Sequence, residues 1–143
     1  MMFDIQIVDR KCEIQHITDS MRPAARCEIR IGPMWDRFYA PLDVWNCGDY
    51  EAQWSDALAR LRIGENVSCF VTGVHPPEIA TFIETFTAWL VGDEYRFQEA
   101  IYDCLPLLDP SRPYDAIGPY KVMTEDGERI FDDWGVPKSA VIS

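Results

Sequence analysis

Positive charge is scarce in this sequence of 143 residues, which has 13 Lys and Arg against 24 Asp and Glu. The formal net charge is -11 with both histidines neutral, and the isoelectric point is about 4.5. Proteins that bind nucleic acid gain affinity by placing Lys and Arg against phosphates, which releases counterions. The shortage of positive charge therefore argues against direct binding to nucleic acid and favours a basic partner.

Paired cysteines and long apolar runs are missing as well. The five cysteines are scattered and odd in number, and no C-x-x-C pair indicates a zinc site, so we predict reduced thiols. No apolar run approaches the roughly 20 residues that span a bilayer. The first residues lack the apolar stretch of a secretory signal. We therefore expect a cytoplasmic protein with one domain over residues 1–143 and no membrane partner.

Common catalytic and cofactor motifs are absent. The sequence contains no G-x-x-x-x-G-K-[ST] or G-x-G-x-x-G phosphate loop, no G-x-S-x-G, no H-E-x-x-H and no calcium-loop pattern. His16 and His75 are the only candidates for a base that titrates near neutrality. His75 precedes two prolines at a turn and His16 lies in a polar connection, so we interpret both as structural. We predict no enzyme activity, no cofactor and no metal.

Alternating apolar residues indicate several strands. Hydrophobic residues make up 48% of the chain and aromatic residues 13%, enough to build a core. Apolar and polar residues alternate over residues 3–7 and again over residues 27–31, the period of a strand with one buried face. The turn residues Gly32 and Pro33 predict a hairpin over residues 25–42. Val67–Val74 is β-branched and short, which is typical of a strand.

One segment favours a helix. Tyr50, Trp54 and Leu58 recur at helical spacing, with Asp49 as the expected N-cap and Gly64 as the residue that ends the helix. We therefore predict a helix over about residues 49–63. Its apolar face is expected to pack on a sheet.

Residues 78–91 fit both a helical stripe and a strand. We predict a strand from about Thr81, because Thr, Phe and Trp are frequent there and Gly92-Asp93 supplies a two-residue hairpin turn. A last hairpin is expected over residues 120–131. The predicted fold class is α+β, an antiparallel β-sheet with one main helix, about residues 49–63, packed on one face.

Most of the negative charge lies in the second half of the chain. Residues 1–72 contain 11 acids and 8 bases, whereas residues 73–143 contain 13 acids and 5 bases, which gives net charges of -3 and -8. A solvated surface and a partner-binding surface both explain such acidic segments. Trp134 also has two interpretations, an interface anchor among acids or the anchor of a terminal segment on the sheet.

Three blocks of the sequence resemble a known family. They are FDIQIVDRK at residues 3–11, PLDVWNCGDYEAQWSDALARL running into VSCFVT at residues 41–72, and PYDAI with TEDGERIFDDW at residues 113–134. Their order resembles the immunity proteins of bacterial contact-dependent growth inhibition systems, the CdiI type. The resemblance implies a small cytosolic antitoxin that binds the C-terminal toxin domain of a CdiA-type secreted protein, often a nuclease. It transfers no set of binding residues.

The charge pattern and the resemblance lead to one functional hypothesis. We predict an immunity protein that binds and neutralises a cognate toxin, a nuclease with a cationic cleft. The alternatives are a small enzyme or ligand-binding domain with a pocket between helix and sheet, and an adaptor in an unrelated complex. The predicted toxin-binding residues are the acids of the second half together with one tryptophan, namely Asp93, Glu94, Glu99, Glu125, Asp126, Glu128, Asp132, Asp133 and Trp134.

Overall fold

A computed structural model describes residues 3–15, 21–104, 108–130 and 132–142. His16 and the last residue of the predicted 120–131 hairpin lie outside the described residues. No helix among the described residues is both long enough and apolar enough to cross a membrane. The elements in chain order are β1 (Phe3–Gln15), β2 (Met21–Ile31), β3 (Met34–Pro41), α1 (Cys47–Arg62), β4 (Val67–Val74), β5 (Phe82–Val91), β6 (Glu94–Asp103), a 3-10 turn (Pro113–Ala116), β7 (Asp133–Pro137) and α2 (Lys138–Ile142).

The strands form two antiparallel sheets, one with the order β1-β2-β3 and one with the order β4-β5-β6-β7. The predicted α+β class with one main helix is confirmed. The ambiguous segment is a strand, β5, and Val91 pairs with Glu94 across the predicted two-residue turn. The hairpin around Gly32 and Pro33 is likewise present.

Helix α1 begins two residues before the predicted start. Its N-cap is Asn46, whose side chain accepts a hydrogen bond from the backbone N–H of Asp49 at 2.8 Å. The Asp49 carboxylate in turn accepts from the backbone N–H of Asn46 at 2.9 Å. The expectation that Asp49 is the N-cap was wrong, because it occupies the third helical position of this capping box. Gly64 follows the helix with a φ of 87°, the predicted left-handed conformation.

The helix covers the free edge of β4. Gln53 donates to the backbone carbonyl of Cys69 at 2.8 Å and accepts from the N–H of Val71 at 2.8 Å. The indole N–H of Trp54 donates to the carbonyl of Val71 at 2.7 Å. Side chains of the helix therefore satisfy polar groups that an edge strand would otherwise expose.

The two sheets enclose the aromatic core. The ring of Phe3 on β1 lies 4.7 Å from that of Phe70 on β4 and 4.9 Å from that of Phe97 on β6. Cys27 and Cys69 are buried in the same core, and burial raises the pKa of each thiol to about 12. All five cysteines are free thiols.

The segment 108–130 covers part of the four-stranded sheet instead of forming regular strands. The indole N–H of Trp89 donates to the carbonyl of Gly118 at 2.8 Å, and the ring of Tyr120 packs 5.7 Å from that of Trp89. The predicted 120–131 hairpin is reduced to a turn. Within the described residues, an isolated bridge between Met123 and Arg129 closes it, and no strand forms there.

Candidate binding site

An open groove of about 490 Å³ lies between the two sheets. One wall is the edge strand β3, and the other is formed by β4, β5 and β6. Polar and apolar side chains alternate along it. The lining residues are Phe38, Tyr39, Thr72, Glu84, Thr85, Phe86, Glu99, Ala100 and Ile101.

Strand register explains why acids meet aromatics in this groove. Phe86 on β5 pairs with Glu99 on β6, and Glu84 pairs with Ile101, so these four side chains project from the same face of the sheet. Phe86 is buried in the core, whereas Glu84, Glu99 and Ile101 are exposed. The buried apolar face therefore continues directly into an acidic edge.

Two carboxylates, Glu84 and Glu99, line the groove, and two more, Asp36 and Asp132, act on Glu99 through their charge without being part of the lining. Although Glu99 is an exposed residue, its pKa is raised first by partial desolvation of the carboxylate and then by the negative charges of Asp132, Asp36 and Glu84. Asp36 comes from β3, and Asp132 immediately precedes β7. None of the residues that line the groove is Lys or Arg. We call these four residues the acidic quartet.

Glu84 is positioned by a contact with His75. Its carboxylate lies 2.6 Å from His75 Nε2, and the His75 side chain is largely buried. The neighbouring residue on β4 is Gly73, where a Cβ atom would come within 2.6 Å of the Glu84 carboxylate oxygen. Glycine at this position therefore lets the carboxylate approach the strand.

Thr72 presents a polar group at the floor of the groove. Its residue is only 8% exposed, and it lies where the β4–β5 register shifts between Val71 and Gly73. Among the described residues, no side chain or backbone group forms a hydrogen bond with its hydroxyl. In the described part of the chain, the Thr72 oxygen is not among the fully enclosed polar atoms that lack a partner, so the hydroxyl opens to the groove, where a ligand can form a hydrogen bond with it.

A second acidic cluster, centred on Asp133, is internally neutralised. Its carboxylate accepts hydrogen bonds from Arg96 Nε at 2.7 Å, from the Gln98 amide at 2.7 Å and from the Tyr120 hydroxyl at 2.6 Å. Burial raises the pKa of Asp133, but these hydrogen bonds and the Arg96 charge outweigh burial and lower it. Arg96 also contacts Glu94 at 3.1 Å. This cluster ties β6 to β7.

Comparison with known proteins identifies the family. The model of the CdiI N-terminal domain matches residues 40–143, about three quarters of the chain. The chain belongs to the CdiI family. It is a CdiI-type immunity protein, in agreement with the resemblance of its sequence. No curated protein matches the sequence.

The fold of this CdiI family member also occurs in a solved structure. One chain of the CdiA-CT/CdiI toxin and immunity complex from Enterobacter cloacae superposes with a TM-score of 0.83. The two chains are 18% identical, and the match covers 99% of this chain and 94% of that one. At this identity the similarity establishes a shared fold.

The acids predicted for this CdiI family member occupy three separate places. Glu99 and Asp132 join the acidic quartet. Glu94 and Asp133 bind Arg96. The remaining four are exposed in turns, Asp93 between β5 and β6 and the others in the 123–129 turn, namely Glu125, Asp126 and Glu128. The predicted acids therefore do not form one cluster.

Trp134 packs on the sheet, as the second of its two interpretations expects, and its contact with a toxin stays a prediction. It lies on β7, pairs with Phe97, is partly buried, and its ring packs 6.3 Å from that of Phe86. It therefore anchors the last strand to the sheet beside the groove.

The types and positions of residues in the sequence did not predict Asp36, Thr72 or Glu84 as site residues. Their signal was strand alternation: Glu84 and Phe86 are two residues apart, as are Asp36 and Phe38, so each acid shares a strand face with an aromatic residue. A metal site is not indicated, since no group of three or more His, Cys, Asp or Glu in the described part of the chain is arranged to hold an ion.

Proposed function

We propose that this immunity protein neutralises a toxin by binding it directly, and that the toxin is the C-terminal domain of a CdiA-type secreted protein. Family membership carries this proposal, and the related fold in a toxin and immunity complex supports it. Inhibition of this kind requires no chemistry by the inhibitor. It requires an interface of about 800 Å² per partner and slow dissociation.

We further propose that the toxin is a nuclease and that the two proteins meet in the cytoplasm. A nuclease presents a cationic surface to phosphates, and a protein with a net charge of -11 is attracted to such a surface. Complementary charge can raise association rates above the ~10⁵–10⁶ M⁻¹s⁻¹ of unsteered encounters. Carboxylates would then occupy positions that phosphates take in the substrate complex.

The test is co-expression of this chain with the toxin domain encoded by the gene directly upstream. We expect the two to purify together, and we expect nuclease activity to appear only after the complex is separated. An unrelated nuclease of similar positive charge is the control, because general electrostatic attraction would inhibit it too. Recovery of the two proteins separately, or toxin activity unaffected by an excess of this chain, would contradict the proposal.

A further inference from the structure

We propose that the groove between the sheets is the docking site for the toxin, and that it receives an arginine or lysine side chain whose cation lies among the acidic quartet. This inference rests on the proposed function and adds the surface and the chemistry of the partner to it. Of the acids predicted from the sequence to bind the toxin, it keeps Glu99 and Asp132. It adds Asp36 and Glu84, which were not predicted.

Charge is the first reason. Glu84 and Glu99 line the groove, and the charges of Asp36 and Asp132 reach Glu99 from two other segments. No Lys or Arg is among the lining residues. The raised pKa of Glu99, caused by partial desolvation and by the other three carboxylates, indicates that its negative charge is poorly compensated in the free protein. A cation supplied by a partner would compensate it.

The unpartnered hydroxyl of Thr72 is an independent reason. It lines the groove, is more than nine-tenths buried and has no hydrogen-bond partner among the described residues. Guanidinium and ammonium groups carry several N–H donors and no acceptor, so they can donate to a carboxylate and a hydroxyl simultaneously. The groove therefore presents more hydrogen-bond acceptors than donors.

The apolar walls fit the stem of the same side chain. Tyr39 is 43% exposed and Ile101 is 63% exposed, and both line the groove together with the edge of Phe86. Arg and Lys bury their methylene groups along such surfaces while the charged end reaches polar groups. Arginine in a pocket of this kind is a frequent hot spot of protein interfaces.

The test is a titration of the toxin domain with the wild-type chain and three single variants at low salt. Glu99→Gln keeps the shape and removes one charge, and we expect the Kd to rise at least about tenfold. Thr72→Val removes the hydroxyl, and we expect a rise of about threefold to tenfold. Asp126→Asn removes a charge from the exposed 123–129 turn and should change the Kd by less than about twofold.

Thermal unfolding of the free variants separates binding from folding. Glu99→Gln removes a charge that its surroundings disfavour, and Thr72→Val removes a hydroxyl that opens to the groove and has no partner among the described residues, so neither variant should lower the melting temperature. A weaker complex formed by an equally stable variant is the signature of a binding residue. A fall in melting temperature together with the fall in affinity would assign the two residues a structural role and overturn the inference.

The outcomes distinguish this inference from the proposed function. If the wild-type chain does not bind the toxin, the proposed function fails. If the wild-type chain binds but Glu99→Gln, Thr72→Val and the triple variant Asp36→Asn, Glu99→Gln, Asp132→Asn bind equally well, the groove is not the docking site and the function stands. If Asp126→Asn weakened toxin binding as much as Glu99→Gln, the groove would also be excluded as the docking site, because affinity would then depend on total charge.

Discussion

At the scale of single residues, the fold disfavours the negative charge of Glu99. Its pKa is raised by partial desolvation and by three neighbouring carboxylates. A carboxyl group whose pKa is higher in the folded than in the unfolded chain destabilises the fold at pH values above its folded pKa. This effect disappears at pH values below its unfolded pKa. Residues of this kind concentrate at functional sites.

We therefore expect Glu99→Gln to raise the urea midpoint of the free protein at pH 7. The gain should shrink as the pH falls and disappear below about pH 4, where the unfolded carboxyl is also protonated. Urea unfolding at several pH values measures this. Glu125→Gln, in the exposed turn, is the control and should show no gain. An equal gain for both variants would mean that only net charge matters.

Asp133 has the opposite role. Its lowered pKa means that its ionised form contributes stability above the pKa of an unfolded Asp, and that this contribution is lost as the pH falls through the folded pKa. Asp133→Asn should lower the free energy of unfolding at pH 7 by about 1.5–3 kcal/mol, because Arg96 loses one of its two charged partners. The adjacent control Asp132→Asn should be neutral or slightly stabilising. Equal losses in urea unfolding would refute this difference.

These neighbouring acids show what the sequence could not distinguish. Asp132 and Asp133 are identical in type and adjacent, and both were predicted to bind the toxin. Asp132 acts on Glu99 through its charge, whereas Asp133 is held by Arg96, Gln98 and Tyr120. The difference depends on β7 pairing with β6, a long-range contact that local pattern does not encode.

At the scale of elements, the capping box determines where α1 begins. Asn46→Ala removes the side chain that accepts from the N–H of Asp49, and we expect a loss of about 1 kcal/mol in the free energy of unfolding. Asn66→Ala is the matched control, because that exposed side chain forms no hydrogen bond with a described residue. Urea unfolding of both variants checks this, and equal losses would show that the cap does not matter.

Local pattern was sufficient for most elements. The frequent Thr, Phe and Trp from about Thr81 and the two-residue turn at Gly92-Asp93 identified β5 and its hairpin, and apolar spacing identified α1. Local pattern did not predict the division into two sheets. Helix α1 separates β3 from β4 in the chain, and the pattern of each strand does not indicate which strand it pairs with. The last hairpin formed only around its turn, where Met123 and Arg129 make a single bridge. The chain just before the turn is instead hydrogen-bonded to the sheet, through Trp89 to Gly118 and through Gln98 to Lys121.

At the scale of the whole molecule, the net charge of -11 predicted a basic partner but did not indicate which surface binds it. Dividing the charge along the chain favoured the second half, and half of the acidic quartet was found that way. Asp36 lies in the first half of the chain, and Glu84 lies in a segment whose apolar and aromatic residues dominate its pattern. A site built from four segments is visible only after the strands are paired.

The central claim is that this chain holds a nuclease toxin inactive by binding it. The most direct measurement is a calorimetric titration of the purified toxin domain with the wild-type chain, with residual nuclease activity assayed at each point. The account predicts one-to-one binding with a Kd of about nanomolar or below, and activity that falls to zero at equivalence. Full nuclease activity at a large excess of the chain, or no measurable heat of binding at any temperature tested, would contradict it.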